Sequence, residues 1–168
     1  MRVFIFIFLL FSNLLALENR QSLMDSISEY AIKIGTGPNK TYSFIDPLCS
    51  KSQAFIELIV NREDLQKETS YYIFLYELPR LHSKEYIIYI YQAKNPLEAL
   101  KEVMIYQDYD IEINETSSET VVFMKKITEV AKQMDIKKWP YLLIYKKGSK
   151  YCLVSEGTAP CLEENDFQ

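Results

Sequence analysis

The chain has 168 residues, with 19 basic and 23 acidic side chains, for a formal charge of −4. That mild acidity argues against nucleic acid or an anionic membrane surface as partner. Hydrophobic residues make up 48% of the chain and glycine occupies only four positions, which fits one packed α/β domain with a single core and excludes a linker or a disordered tail.

In chain order, Arg2 is followed by an unbroken apolar run from Val3 to Phe11, and Leu14-Leu15-Ala16 offers a small residue for cleavage. This is the pattern of a signal peptide over 1–16. The alternative, an uncleaved anchor, is disfavoured because the run is shorter than the roughly 20 residues that span a bilayer. Residues 17–39 are expected to form a lead-in helix and turn. The helix covers Ser22 to Ile34, with Leu23, Ile27, Ala31 and Ile34 on one face and Ser22 as N-cap. Gly35-Thr36-Gly37-Pro38-Asn39 is the turn.

The main domain, 40–168, opens with a strand over Lys40–Ile45 that breaks at Asp46-Pro47. A helix follows from Ser50 to Val60, striped by Phe55, Ile56 and Ile59. Tyr71–Leu78 is strongly β-forming and stops at Pro79. Short helices are expected over Ser83–Gln92 and from Asn95-Pro96 to about Gln107, where proline suits the first helical position. An acidic loop, Asp108–Ser118, leads to a helix over Glu119–Met134. Tyr141–Tyr145 and Tyr151–Val154 form a hairpin around Lys147-Gly148-Ser149, and Pro160–Phe167 is a last short helix. This order of strand, helix, strand, helices, hairpin and helix is the plan of a thioredoxin fold, with a central mixed sheet and helices on both faces.

Cys49 is the residue most charged with chemistry. It stands where the strand running into Asp46-Pro47 gives way to a helix, and unpaired N–H groups with the positive dipole end at such a position attract a thiolate. A second thiol one turn on would resolve a mixed disulfide, but that position is Ser52. Three cysteines in an exported chain leave one unpaired. The economical assignment joins Cys152 to Cys161, closing a loop of about ten residues worth roughly 2–3 kcal/mol. The alternative joins Cys49 to one of those two.

The other polar candidates are weaker. Asp46 reads as an Asx-type turn residue or the local cap of the helix, a structural role. His82, the single histidine, reads as exposed and has no companion at metal-ligand spacing, so no metal is expected. Ser50, Ser52 and His82 have no triad spacing. Tyr86, Tyr89 and Tyr91 read as half-buried packing. Asn39 and Asn114 both match the N-x-[ST] glycosylation pattern.

Five motifs in order along the chain carry a family resemblance: Phe44-x-Asp46-Pro47-x-Cys49, Glu77-Leu78-Pro79-Arg80-Leu81, Tyr91-Gln92-Ala93-Lys94-Asn95-Pro96-x-x-Ala99-Leu100, Trp139-Pro140-Tyr141-Leu142 and Gly157-x-x-Pro160. Together they resemble the catalytic domain of the DsbC/DsbG periplasmic thiol–disulfide proteins. The resemblance implies a thioredoxin-like fold over 40–168 with an inserted helical region. It also implies a catalytic Cys49 with Ser52 in the second position, and a cis-proline loop, Trp139-Pro140, that faces the thiol and binds substrate.

Three departures limit what carries over. The second cysteine is replaced by Ser52, Trp139 stands where a threonine commonly precedes the proline, and no dimerisation domain precedes the first strand. What remains is exchange by one thiol on cysteine-containing exported proteins. No cofactor is implied, a membrane-bound redox partner is a further candidate, and the oligomeric state stays open. The competing class is a catalytically degenerate binding, assembly or chaperone-like module of the cell envelope.

Overall fold

The computed structural model of the protein describes residues 20–113, 115–149 and 152–157. Its centre is β2 (Asn39–Ile45), whose side chains alternate between two apolar layers. Tyr42 and Phe44 enter one layer, and Ile45 enters the other. The next strand, β3 (Thr69–Leu75), alternates in the same way, with Tyr71, Ile73 and Leu75 beside Ile45 and Phe74 beside Phe44. In β4 (Tyr141–Tyr145), Leu142 belongs to the first of these groups and Tyr141 and Leu143 to the second. Strands apolar on both faces must be covered on both.

Two short strands complete the sheet, β1 (Ile32–Ile34) and β5 (Cys152–Glu156), in the order β1-β3-β2-β4-β5. β2 and β3 run parallel, with Thr41 opposite Tyr71 and Ile45 opposite Leu75, and the remaining pairs are antiparallel. A parallel pair needs a crossover, made here by α2 (Ser50–Asn61) and α3 (Glu63–Glu68). The stripe of Phe55, Ile56 and Ile59 is at most 1% exposed. It packs on the Ile45 side with Leu100 and Val103 of α5 (Pro96–Met104) and with Ile87 and Ile90 of α4 (Lys84–Gln92). The other face is covered by α1 (20–27), through Met24 and Ile27, and by α6 (Ser118–Gln133), through Ile127, Val130 and Ala131. This is the expected mixed sheet with helices on both faces, and α4 and α5 form the region inserted between β3 and α6.

Several boundaries are locally determined. Asn95 Oδ1 accepts from Glu98 N at the start of α5, with Pro96 in the first helical position. Ser117 Oγ accepts from Thr120 N at 3.1 Å and starts α6. Tyr86, Tyr89 and Tyr91 are half-buried, as expected of packing.

Other expectations are corrected. The lead-in helix does not reach Ile34. It ends at 27, passes through a 3-10 turn at Ser28–Tyr30, and gives way to β1, which pairs antiparallel with β3. Ile32 and Ile34 are buried on either side of the exposed Lys33, and the free edge of β3 outweighs the helical spacing of Ala31 and Ile34. Ser22 lies inside α1 and does not cap it. The lead-in segment is therefore part of the sheet and of the core.

Helix α3 had no signal in the sequence, because it is polar and buries only Leu65. Gln66 explains its place. Its side-chain amide donates to Ile59 O and Val60 O, carbonyls near the end of α2, and its own carbonyl accepts from Thr36 N and Gly37 N. The turn approaches α3 and β3 so closely that a Cβ on Gly37 would lie 2.0 Å from Glu68 C. β3 stops at Leu75 and not at Leu78, because Tyr76 N still reaches Ile45 O while Leu78 N turns away to Asp46. The signal segment and the Pro160–Phe167 helix lie outside the described residues.

Candidate functional site

The site is built around the end of β2. Asp46 is fully buried, and its carboxylate collects three donors. Oδ1 accepts from Leu48 N at 2.8 Å, which makes the expected Asx-type turn. Oδ2 accepts from Leu78 N at 2.5 Å and from Ser83 Oγ at 2.6 Å. The Asp46 carbonyl also accepts from Cys49 N at 3.1 Å. The Asp46 side chain thus ties the turn before α2 to the loop after β3 and to the start of α4, and its backbone carbonyl holds Cys49, the N-cap of α2, which is extended.

Cys49 is buried, with 8% of its surface exposed. Its remaining surface faces a cleft of about 380 Å³ whose walls include Leu78, Arg80, Trp139 and Gly157. Ser52, one turn further on, is fully buried, and its Oγ accepts from Asp46 N at 3.4 Å. It pins the first turn of α2 to the strand end and does not line the cleft.

The Trp139–Pro140 bond is cis. Trp139 lines the same cleft as Cys49. Pro140 O accepts from Gly157 N at 2.9 Å, and Gly157 O accepts from Lys51 Nζ, which links the loop to the first turn of α2. The Pro140 carbonyl thus carries one hydrogen bond within the protein and keeps a second lone pair. Trp139 is 7% exposed. Its indole N–H donates to Tyr76 O at 2.7 Å, and its ring stacks on Tyr76 with centroids 5.3 Å apart. The indole is folded into the wall of the cleft.

The cleft also has a feature that the sequence reading missed, a group of cations from three separate segments: Lys51, Arg80, Lys137 and Lys138. Lys137-Lys138, directly before Trp139 in an acidic chain, was the available signal. The opposing acid in the lining is Glu156, 3.7 Å from Lys138. Lys137 pairs with the exposed Asp135 at 2.7 Å.

The other candidates stand apart from the cleft. Cys152 is half-buried on β5 opposite Tyr145, and burial together with the neighbouring Cys152 pushes the Tyr145 hydroxyl above its usual range. Cys49 and Cys152 are not joined to each other, and Cys161 lies outside the described residues, as does Asn114. Asn39 is half-buried with Oδ1 accepting from Lys147 N at 2.9 Å. His82 is exposed, with a left-handed backbone at φ 51°. Among the described residues no group of His, Cys, Asp and Glu converges on a metal position, and no helix is long and apolar enough to cross a membrane.

No family model matches the chain, and no curated protein matches it. Solved structures do. A disulfide interchange protein from Neisseria gonorrhoeae superposes with a TM-score of 0.61 at 16% identity, over 80% of this chain and 89% of that one. DsbG from Helicobacter pylori gives 0.60 at 16% identity, over 76% and 61%. A periplasmic thioredoxin-like protein from Salmonella enterica serovar Typhimurium gives 0.53 at 8% identity, over 73% and 83%. At these identities the likeness defines the fold, and the protein is a thioredoxin-fold protein. Within that class it carries one thiol at the head of α2, with serine one turn on.

Proposed function

We propose that the chain is an exported thioredoxin-fold protein that exchanges disulfides through Cys49 alone. The observation that carries this reading is the meeting of Cys49, as N-cap of α2, with the cis Trp139–Pro140 loop at one cleft. A disulfide interchange protein among its structural neighbours agrees with it. Export rests on the Arg2–Ala16 pattern, with the periplasm or another oxidising compartment as the destination and a Cys152–Cys161 bridge as the use of the remaining cysteines.

The step is an exchange. The Cys49 thiolate attacks one sulfur of a substrate disulfide, a Cys49–substrate S–S bond forms, the original S–S bond breaks, and the other sulfur leaves as thiolate. No electrons are gained or lost overall. With serine at position 52 no internal thiol displaces the substrate, so release requires a thiol of the substrate or of a second molecule.

The test is to mix the protein with a disulfide-activated cysteine peptide and resolve the products without reductant. A covalent adduct on Cys49 is expected, persistent until a thiol is added and absent in Cys49→Ala. Failure of the folded protein to form an adduct, under conditions where the urea-unfolded chain does, refutes the reading. The 8% exposure of Cys49 favours the second reading, a binding or assembly module that uses the same cleft without exchange, and that outcome would support it.

A further inference from the structure

We propose that the cleft selects cysteine-bearing segments with acidic residues beside the cysteine. This names the substrate class for the exchange proposed above and rests on that reading for its covalent step. The chain as a whole is acidic, with a formal charge of −4, yet the surface around the thiol is basic. Lys51, Arg80, Lys137 and Lys138 reach it from the first turn of α2, the loop after β3 and the approach to β4, and Glu156 is the acid that shares the lining.

The compensation is partial. Glu156 is 3.7 Å from Lys138, and Lys137 has Asp135. Lys51 is bonded to a neutral carbonyl, Gly157 O, and Arg80 has no ion pair among the described residues. Three separate segments thus hold positive charge around one cleft that apolar Leu78 and Trp139 also line. A cleft in which one sign of charge predominates concentrates its field and attracts the opposite charge. A guanidinium there adds a planar fork that matches a carboxylate with two hydrogen bonds. The four cations serve no packing role in the core, since all are exposed. A peptide whose cysteine meets Cys49 would set its flanking side chains against them.

Two arms separate this inference from the exchange reading. In the first, labelled peptides carry serine in place of cysteine and differ only in their flanks, which are Asp/Glu, Ser/Asn or Lys. Binding to the full chain is read by fluorescence anisotropy. The acidic peptide is expected to bind tighter than the neutral one by roughly tenfold at low salt, and the contrast is expected to shrink as the Debye length falls from about 10 Å at 0.1 M toward about 3 Å at 1 M. Arg80→Gln combined with Lys138→Gln is expected to remove most of the contrast, with circular dichroism and the urea midpoint confirming that the variant is folded. Equal affinity for the three peptides, a preference that salt leaves unchanged, or no binding of the acidic peptide overturns the inference. In the second arm the same peptides carry an activated cysteine. No adduct with any of them sinks single-thiol exchange and leaves the charge preference to be decided by the first arm. Equal adduct rates for all flanks uphold exchange and overturn the charge selection.

Discussion

Replacing Asp46 by asparagine preserves shape while changing what one buried side chain can accept. Oδ1 holds Leu48 N, and Oδ2 holds both Leu78 N and Ser83 Oγ. An asparagine offers one oxygen and one NH₂. With its oxygen at the Oδ2 place, the NH₂ confronts the Leu48 N–H. With the two exchanged, it confronts the Leu78 N–H, and only the Ser83 hydroxyl can rotate to accept. Either way one buried backbone donor loses its acceptor, which costs about 1–3 kcal/mol, and the remaining bonds lose their charge assistance. The expected loss is about 2–4 kcal/mol for Asp46→Asn. For Asp46→Ala it is larger, because all three donors are left without their acceptor. The assay is urea denaturation, read as a lower midpoint at unchanged slope, with a fall in Tm of roughly 2–4 °C per kcal/mol for a chain of this size. Asp46→Asn within about 0.5 kcal/mol of the parent, the range of an ordinary surface change, would refute the account of Asp46 as the knot of the site. So would an alanine variant no worse than the asparagine one.

Ser52→Cys places a second thiol one turn along α2 from Cys49, and it is expected to form an internal disulfide and to reduce insulin, with a thiol donor, faster than the parent. Cys49→Ala in that background should abolish the gain, and absence of the internal disulfide would point to a site shaped for binding. Gly37→Ala drives a Cβ to 2.0 Å from Thr69 N and Glu68 C, so a loss above about 3 kcal/mol is expected in the urea midpoint; a change below 1 kcal/mol would show that the turn can move. Trp139→Phe deletes the donor to Tyr76 O and should cost about 1–3 kcal/mol by leaving that carbonyl without the indole N–H, with unchanged stability as the contrary result. Burial is the largest cause raising the hydroxyls of Tyr42, Tyr71 and Tyr141 above 10.0. The native state therefore keeps protons that the unfolded chain releases, and stability is intact below about pH 10 and falls as pH rises through the native values. Absorbance at the phenolate band should show these tyrosines ionising only as the urea midpoint collapses, and a single ionisation step near pH 10 with the midpoint unmoved would contradict it.

Much of the frame is written in short windows. Tyr42 and Phe44 alternate with their neighbours as a strand does, Phe55, Ile56 and Ile59 form the stripe of a helix, and Asn95-Pro96 starts the next. Asp46-Pro47 announces a turn because an aspartate can accept from the amide two residues on, and Cys49 follows from that turn as the head of α2. These signals need only local geometry, so the place of Cys49 at the head of α2 was legible before any contact was known, whereas the cis Trp139–Pro140 loop was implied only by the family resemblance.

What the sequence by itself determined, then, is periodicity and turn chemistry, because both act over a few bonds. The tertiary structure alone decided the rest. Ile32–Ile34 became a strand because the edge of β3 was open to it, and polar α3 persists because Gln66 is bonded on two sides. Asp46 reaches donors 32 and 37 residues away, and Trp139 leans on Tyr76, 63 residues away. Lys51, Arg80 and Lys137-Lys138 surround one thiol only after three segments distant in sequence have met. Hydrogen bonds and charge fields depend on distance through space, and the chain's path, not its local spelling, sets that distance.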